Sequence, residues 1–422
     1  MTYEITAVSA IEILDSRSRP TLEVRVTLNG VTATAGVPSG ASTGTREATE
    51  LRDGDRSRFG GAGVTHAVAN VCGEIAELLI GRRVESLQVL DELLIDADGT
   101  ETKSRLGANA IVGVSMAAAR ALADADRVPL WRWLTPPGVQ RLLPVPHFNV
   151  INGGRHAANA LAPQEFMIAP LGAPSFAEAV RAGAEVYTAL RSLLHTGGHD
   201  VGLGDEGGFA PNLRTADEAC ALLVEAIAAA GYTADREHVA IALDPAASEF
   251  RNADGRYALV PDETPLSSSE LIANWADLAQ RYPIWSIEDG VAEDDTDGWK
   301  ELTQRLGDRL QLVGDDNFVT NPAIIADAIE AGIANCALIK VNQIGTVTET
   351  LAATALCRRS GYAQMVSHRS GETDDPFIAD LAVATGCGQL KSGAPARGER
   401  VAKYNRLRSI EAAESDLPYG LR

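Results

Sequence analysis

Cysteine is scarce in this sequence, with five residues in a chain of 422. The number is odd, and no two cysteines stand in a Cys-x-x-Cys spacing; their positions are Cys72, Cys220, Cys336, Cys357 and Cys387. A disulfide framework or a zinc site is therefore not expected, and this usage fits a reducing cytoplasm.

Long apolar runs are also missing. No stretch approaches the roughly 18–20 consecutive apolar residues of a membrane-spanning helix. The stretch MTYEITAVSAIEILDS has neither a basic start nor a long apolar core, so a secretory signal peptide is not expected. The sequence thus predicts a soluble, cytoplasmic protein without a membrane partner.

Positive charge is in short supply, since 37 Lys and Arg residues face 57 Asp and Glu residues and leave a net charge of −20. Such a surface repels nucleic acid and anionic membranes, so neither is an expected partner. The acidic residues are spread along the chain, and solubility accounts for most of the excess. The sequence also contains no P-loop, no Gly-x-Gly-x-x-Gly, no low-complexity segment and no short solenoid repeat.

What the amino-terminal segment does contain is the pattern of β-strands. Residues 21–28 (TLEVRVTL) alternate, Asn29 and Gly30 form a strong hairpin turn signal, and residues 31–37 (VTATAGV) resume the strand. A loop rich in Gly, Ser and Thr follows at 38–47.

Helical patterns then complete a first domain. Residues 63–80 and 108–125 read as helices, and the second is apolar on more than one face, so it should be buried. Four prolines mark residues 134–146 as a linker. We therefore predict a small α+β domain over 1–135 and a larger domain over 143–422.

Beyond the linker, apolar runs of four or five residues alternate with helical stretches. Each run is followed at its carboxyl end by a polar residue: Asp244, Glu288, Asp315, Lys340 and His368. The intervals between them are 44, 27, 25 and 28 residues, and about 25–30 residues make one βα unit. The predicted fold class is α/β, with a (β/α)8-type barrel whose strand ends gather these five side chains on one face.

Each of these residues also has a plain structural explanation. Asp244, before Pro245, and Asp315 fit helix N-caps, Glu288 fits a solvated turn, and Lys340 fits a lysine that reaches the surface. Burying an unpaired ammonium after an apolar run, however, costs several kcal/mol or shifts its pKa. Three carboxylates on successive strands followed by a lysine together predict a site for Mg²⁺ or Mn²⁺ beside an amine.

Two glycine-rich stretches are further candidates. Residues 201–212 (VGLGDEGGFAPN) place Glu206 among four glycines; a flexible surface loop is the plain alternative, while the Phe-Ala-Pro that follows favours a packed loop close to a ligand. Residues 152–170 hold His156 in a loop and Glu165 at the start of an apolar strand. A lone histidine is more often structural than catalytic, but this one sits on a loop able to close.

Many long motifs occur in one order along the chain: VPSGASTG, LRDGD, GANAI, VINGGRHA, QEFMIAP, GDEGGFAPN, AASEF, SIEDG, VGDDNFVTN, IKVNQIGT, SHRSGET and GAPARGERVAKYN. In this order they resemble the enolase family, the phosphopyruvate hydratases of glycolysis and gluconeogenesis. The resemblance covers nearly the whole chain. It implies an amino-terminal lid domain, a barrel with irregular first strands, a small phosphorylated carboxylate as substrate, and a homodimer or higher homo-oligomer.

The resemblance also implies roles for individual residues. The implied metal ligands are Asp244, Glu288 and Asp315 for a first Mg²⁺, and Ser39 for a second that arrives with the substrate phosphate. The implied catalytic residues are Lys340 as the base, Glu206 as the acid, Glu165 in support of the acid, and His156. The implied substrate contacts are Gln164, His368, Arg369, Ser370 and Lys391.

These roles make chemical sense for the dehydration of 2-phosphoglycerate to phosphoenolpyruvate. Removing a proton α to a carboxylate builds up negative charge, which two divalent cations offset, and Mn²⁺ is able to replace Mg²⁺. A lysine or histidine base beside Mg²⁺ is the general pattern of enolase-superfamily sites. We expect Mg²⁺, Lys391 and Arg369 to lower the pKa of Lys340 so that it is neutral, and Glu165 to raise the pKa of Glu206 so that it is protonated.

A few positions depart from the usual enolase motifs. Ser18 and Arg19 stand where Gly-Asn is usual, Asn317 stands where an apolar residue is usual, Ser392 replaces a threonine, and Gly398 replaces a serine. None of these positions is an implied acid, base or metal ligand. They leave open the substrate and the assembly rather than the type of reaction.

Three alternatives remain at this stage. An enolase-like paralogue would act on an analogue, such as a phosphonate of specialised metabolism, and would keep the metal ligands and the lysine base. Another dehydratase or racemase of the superfamily would usually carry a Lys-x-Lys on an early barrel strand, and QEFMIAP has none. A binding or scaffold role alone would not need a complete acid, base and metal set.

Overall fold

The computed structural model describes residues 2–41 and 43–421. The amino-terminal part of these residues contains four strands: β1 (Tyr3–Leu14), β2 (Pro20–Leu28), β3 (Val31–Gly36) and, after two helices, β4 (Arg83–Val84). They form one antiparallel sheet in the order β3-β2-β1-β4. Between β2 and β3, Asn29 and Gly30 take φ values of 47° and 78°, which a two-residue hairpin turn of this twist requires. The predicted hairpin is confirmed.

In the part of the chain that the structure describes, five α-helices complete this amino-terminal region: α1 (Thr65–Asn70), α2 (Ala76–Leu79), α3 (Leu87–Asp98), α4 (Ala108–Ala125) and α5 (Leu130–Trp133). Helix α4 packs on β2 and β3 and is buried on nearly every side, as its composition predicts. A Cβ added at its Gly113 would lie 2.5 Å from a methyl group of Val24 and 2.9 Å from one of Val37. Glycine therefore allows the helix to approach the sheet closely.

The second part of the chain is a closed barrel of eight strands: β5 (Val145–Asn152), β6 (Glu165–Ala169), β7 (Ala240–Asp244), β8 (Ile284–Glu288), β9 (Gln311–Gly314), β10 (Cys336–Ile339), β11 (Ala363–Ser367) and β12 (Gln389–Lys391). Strand β6 runs antiparallel to both β5 and β7, while the other neighbours pair in parallel. The α/β class and the barrel with irregular first strands are confirmed.

Among the described residues, nine α-helices belong to this part: α6 (Phe176–Thr196), α7 (Ala216–Ala229), α8 (Ser268–Arg281), α9 (Thr296–Leu306), α10 (Pro322–Glu330), α11 (Val341–Ile344), α12 (Val347–Arg359), α13 (Phe377–Thr385) and α14 (Gly398–Ala413). Local sequence sets where they begin: α7 and α8 each start with a capping box, Thr215 with Glu218 and Ser267 with Glu270. Within the described residues, no helix is long and apolar enough to cross a bilayer.

The reversed direction of β6 decides which of its residues reaches the barrel mouth. In a parallel strand the last residue would lie there, but in β6 it is the first residue, Glu165. Glu165 pairs in register with Asp244, the last residue of β7. The mouth therefore gathers the carboxyl ends of the parallel strands and the amino end of β6.

Loops of the amino-terminal part rest on this mouth. Ser39 and Gly371 exchange two backbone hydrogen bonds, of 2.7 and 2.9 Å, and the backbone N–H of Ser16 donates to the carbonyl of Glu372 at 2.8 Å. The first domain is thus anchored to the loop that follows β11, which is also where several predicted site residues lie.

Candidate active site

One lysine lies among three buried carboxylates at the barrel mouth. The ammonium of Lys391, the last residue of β12, is 2.7 Å from Glu288, 3.0 Å from Asp244 and 3.1 Å from Glu165. Burial by itself lowers the pKa of Lys391, but these carboxylates together raise it well above its ordinary value. Lys391 is therefore charged and neutralises part of the cluster, whereas the resemblance implied a substrate contact.

The carboxylate cluster remains short of partners. Glu165 Oε2 and Glu288 Oε2 are buried, and neither accepts a hydrogen bond from the described residues. Burial, followed by the charge of Asp244, raises the pKa of Glu288 well above its ordinary value. Unsatisfied carboxylate oxygens are the donors that Mg²⁺ and Mn²⁺ prefer. Asp244, Glu288 and Asp315, at the ends of β7, β8 and β9, offer oxygens of this kind, but within the described residues they do not form one of the close groups of possible metal ligands. The ammonium of Lys391 contacts Asp244 and Glu288 instead.

The sequence analysis did not identify two further carboxylates at this edge, Asp289 and Asp316, as candidate site residues. One ligand oxygen from each of Asp289, Asp315 and Asp316 lies within 4.8 Å of the others. The carboxylate of Asp289 accepts the backbone N–H groups of Asp315 at 2.9 Å and Asp316 at 3.0 Å. Asp289 therefore shapes the turn that presents Asp315. The signal was present in the second acidic residues of SIEDG and VGDD.

Ser39, the expected ligand of a second cation, is buried against arginines. Its hydroxyl oxygen accepts from Arg52 at 2.9 Å and from Arg17 at 3.3 Å. Among the described residues no hydrogen bond joins this hydroxyl to the three predicted carboxylate ligands. Ser39 would have to exchange its guanidinium partners before it could bind a metal ion.

Lys340 follows β10 and is 9% exposed. Its ammonium lies 2.5 Å from Asp315 Oδ2, and the other oxygen of Asp315 accepts from Gln343 at 2.8 Å. Burial lowers the pKa of Lys340, but Asp315 opposes it, and the result lies above the ordinary value. In the protein without a metal ion the neighbouring carboxylate therefore outweighs burial, Lys391 and Arg369. The expected lowering of this pKa included the charge of Mg²⁺ and stays a prediction.

Glu206 lies in a packed loop opposite these groups. Its Oε2 accepts from Asn149 at 3.0 Å and lies 3.2 Å from His368 Nε2, while its Oε1 lies 3.7 Å from His156 Nε2. Glu165 is the next carboxyl group, 4.0 Å from His156 Nδ1. Asn149 was not foreseen, although a polar residue inside the apolar run of β5 was a usable signal.

The pKa values of Glu206 and Glu165 are shifted in opposite directions. Burial by itself raises the pKa of Glu206, but His368 and His156, with Arg400 behind them, lower it well below its ordinary value. Burial and the charge of Glu206 raise the pKa of Glu165 well above its ordinary value. These directions are opposite to the expectation that Glu165 raises the pKa of Glu206, because the histidine and arginine neighbours of Glu206 favour its charged form.

Glycines allow the Glu206 loop to pack tightly. A Cβ at Gly204 would lie 2.6 Å from both Asn152 Oδ1 and the carbonyl oxygen of His156, and Gly207 has a φ of 86°. A larger residue at Gly204 would push the loop away from the barrel. The loop is thus packed, and the alternative of a flexible surface loop does not hold.

Most of the predicted residues line one small cavity. With Ala41, the lining comprises His156, Gln164, Glu165, Glu206, Asp244, Lys340, His368, Arg369, Ser370 and Lys391. Glu288 and Asp315 contact this lining through Lys391 and Lys340. The cavity measures about 20 Å³, which is room for about one water molecule. A phosphorylated three-carbon acid therefore requires side chains of the lining to move apart.

Arg369 makes hydrogen bonds within the protein that it would have to exchange for bonds to a substrate. Its guanidinium donates to Glu47 at 2.9 and 3.1 Å and to Asn342 at 3.1 Å. By contrast, Ser370 Oγ and Gln164 Oε1 are buried and have no hydrogen-bond partner among the described residues. Unsatisfied buried polar atoms of this kind are suited to a polar ligand.

The departures from the usual motifs lie beside this cavity. Ser18 takes the left-handed conformation, with a φ of 59°, which glycine adopts more readily. Ser392 Oγ and Asn317 Oδ1 are buried without a hydrogen-bond partner among the described residues, and a Cβ at Gly398 would meet nothing within 4 Å. None of these residues lines the cavity.

A closed barrel with carboxylates and lysines gathered at its mouth, covered by a smaller α+β domain, is the architecture of an α/β-barrel enzyme. Residues 5–134 match the family model of the enolase N-terminal domain, and residues 140–418 match that of the enolase C-terminal TIM barrel domain. A curated relative, the enolase of Rubrobacter xylanophilus, is 58% identical over 409 residues, covering 97% of this chain and 94% of the relative. The chain belongs to the enolase family and is an enzyme, a lyase.

Proposed function

We propose that the protein catalyses the reversible, Mg²⁺-dependent dehydration of 2-phosphoglycerate to phosphoenolpyruvate in glycolysis and gluconeogenesis. The observation that carries this proposal is the cavity itself. It places a lysine, Lys340, and a glutamate, Glu206, around one small space beside the carboxylate cluster. Deprotonation α to a carboxylate and loss of a β-hydroxyl need such a base and such an acid in one site.

Lys340 is the proposed base. To accept the α-proton it must be neutral, and the charge of Asp315 at 2.5 Å works against that. A divalent cation held by Asp244, Glu288 and Asp315 would supply positive charge for the substrate carboxylate and would offset the charge of Asp315. The contact between Lys340 and Asp315 is therefore the one that must weaken before the lysine acts.

Glu206 is the proposed acid, supported by Glu165. For dehydration Glu206 has to carry a proton, and its lowered pKa in the protein without metal or substrate opposes this. For the reverse reaction an ionised Glu206 is ready to take a proton from water. His156 lies 3.7 Å from Glu206 and 4.0 Å from Glu165, a position from which it contacts both glutamates as they change charge.

The substrate anions require positive and hydrogen-bonding groups. Arg369 is a fork of donors suited to phosphate, with Ser370 and His368 on the same loop. Lys391 neutralises carboxylates in the free enzyme and is the proposed second cationic contact, and Gln164 offers an unpaired amide oxygen. The roles as substrate contacts that the resemblance implies for these residues are thus compatible with the charges that line the cavity.

Metal dependence gives the first prediction. Protein treated with a chelator should lose activity and regain it with Mg²⁺ or Mn²⁺. Asp244→Asn should weaken Mg²⁺ binding measured by calorimetric titration, because it removes one of the anionic ligands. Asp254→Asn, at an exposed position, is the matched control and should bind as the unaltered protein does. Full activity in excess chelator, or unchanged Mg²⁺ affinity in Asp244→Asn, would contradict the metal assignment.

The substrate is tested by steady-state kinetics with Mg²⁺, following the absorbance of phosphoenolpyruvate. We expect a larger kcat/KM for 2-phosphoglycerate than for a phosphonate analogue in which carbon replaces the ester oxygen. The opposite order would support the alternative, an enolase-like paralogue that acts on a phosphonate or another analogue. Activity with neither compound would reject both.

Three further proposals accompany this function. The chain is divided into a lid domain over 1–135 and a catalytic domain over 143–422, the protein is cytoplasmic, and it forms a homodimer or a higher homo-oligomer.

A further inference from the structure

Arg400, on α14, lies behind the cavity and is completely buried. Its Nη1 is 2.5 Å from His368 Nδ1 and 2.7 Å from the carbonyl oxygen of Arg369. Its Nη2 donates to the carbonyl oxygens of Ser370 at 2.5 Å and Asp205 at 3.2 Å. Arg400 thus joins the two loops that carry His368 and Glu206. The resemblance to the family implied no role for it.

The chemistry of a guanidinium decides the protonation of the imidazole. An arginine side chain stays protonated and has only donors, so the atom that faces it must be an acceptor. His368 Nδ1 therefore presents a lone pair, and in the neutral ring the proton lies on Nε2. Nε2 is 3.2 Å from Glu206 Oε2, so its N–H lies next to that oxygen, although the pair lacks the alignment of a hydrogen bond.

The two oxygens of Glu206 are consequently not equivalent. Oε2 lies next to two donors, the Asn149 amide at 3.0 Å and the His368 imidazole. Oε1 faces His156 Nε2 at 3.7 Å, which is too long for a hydrogen bond. A carboxyl proton is excluded from Oε2 by the donors around it and is free to reside on Oε1.

We propose that Arg400 is a positioning residue that sets the tautomer of His368 and thereby makes Oε1 the oxygen through which Glu206 exchanges its proton. This inference deepens the proposed function and depends on Glu206 as the acid. Without the guanidinium, the imidazole can move its proton to Nδ1 and turn the Nε2 lone pair toward Glu206. Two acceptors would then face each other, and the carboxylate would move or take up a proton at the wrong oxygen.

The tautomer is measurable without any assay of activity. In ¹⁵N-histidine-labelled protein at neutral pH, long-range ¹H–¹⁵N correlation spectra should show His368 protonated at Nε2 and unprotonated at Nδ1, with a His368→Asn variant providing the assignment. A ring protonated at Nδ1, alone or together with Nε2, would overturn the proposal. This result is independent of the substrate, so it separates a failure of this inference from a failure of the proposed function.

Arg397 provides a matched control. It donates to the carbonyl oxygens of Gly204 and Asp205, both at 3.1 Å, and to that of Ser16 at 2.9 Å. It therefore anchors the same loop as Arg400 but makes no hydrogen bond to an imidazole. Arg397→Met should leave the tautomer of His368 unchanged.

Arg400→Met should produce a mixture of His368 tautomers. It should also lower kcat by about 10- to 100-fold, by analogy with the range for groups that orient metal-bound histidines, with a smaller change in KM because the substrate contacts remain. Arg400→Lys, which restores a donor, should recover part of both. A folded Arg400→Met protein that keeps the Nε2–H tautomer, or an equal tautomer shift in Arg397→Met, would refute the proposal; if Arg400→Met does not fold, the measurement on the unaltered protein decides.

Discussion

Replacing Lys340 by alanine should abolish both product formation and the exchange of the substrate α-proton with solvent deuterium. General acid–base groups contribute about 10²–10⁴ in rate, and a base that faces so weak a carbon acid should lie at or beyond the top of that range. The measurement is the loss of the α-proton signal of 2-phosphoglycerate by NMR in deuterium oxide with Mg²⁺. Product formation is followed in the same sample.

Removing a buried lysine also disturbs packing and charge, so a control is needed. Lys103 is buried and pairs with Glu349 at 2.9 Å, but it does not line the cavity. Lys103→Ala should cost stability without stopping the exchange. If Lys340→Ala exchanged the proton at nearly the rate of the unaltered protein, the base would lie elsewhere, and Lys340 would be a charge partner of Asp315 or of the substrate.

The positions of the strand ends were accessible from the sequence. A run such as CALI followed by a lysine combines an apolar strand with a polar residue at its end, and the recurrence of this pattern near 25–30 residues defines a barrel. This pattern alone predicts that Asp244, Lys340 and His368 lie on one face of the barrel. The direction of β6 could not be predicted from this pattern, because Glu165 stands at the start of its apolar run rather than at the end. The irregular first strands were implied only by the resemblance.

The charge states of the site were not accessible in the same way. Whether Lys340 is neutral depends on the 2.5 Å contact with Asp315, and which glutamate holds the proton depends on His368, His156 and Arg400 around Glu206. Such distances join residues from distant parts of the chain. A motif states that two carboxyl groups occur, but their pKa values are set by neighbours that only the fold brings together.

Replacing Glu206 by glutamine should separate the two halves of the reaction. The amide has nearly the shape of the carboxyl group but cannot deliver a proton, so loss of the hydroxyl should fall by at least the ~10²–10⁴ that an acid contributes. Removal of the α-proton comes first and depends on Lys340, so exchange with deuterium should continue in part. Quenched samples analysed by NMR for both exchange and phosphoenolpyruvate make this distinction.

Glu165→Gln is the matched control because it makes the same change in the other member of the pair. It removes the carboxyl group whose pKa is raised but leaves Glu206 to deliver a proton taken from solvent, so product formation should decrease and persist. If Glu206→Gln formed phosphoenolpyruvate as fast as Glu165→Gln, the leaving hydroxyl would receive its proton from another donor. If Glu206→Gln lost exchange as completely as Lys340→Ala, Glu206 would be needed for the first step, and the division of labour between the lysine and the glutamate would be wrong.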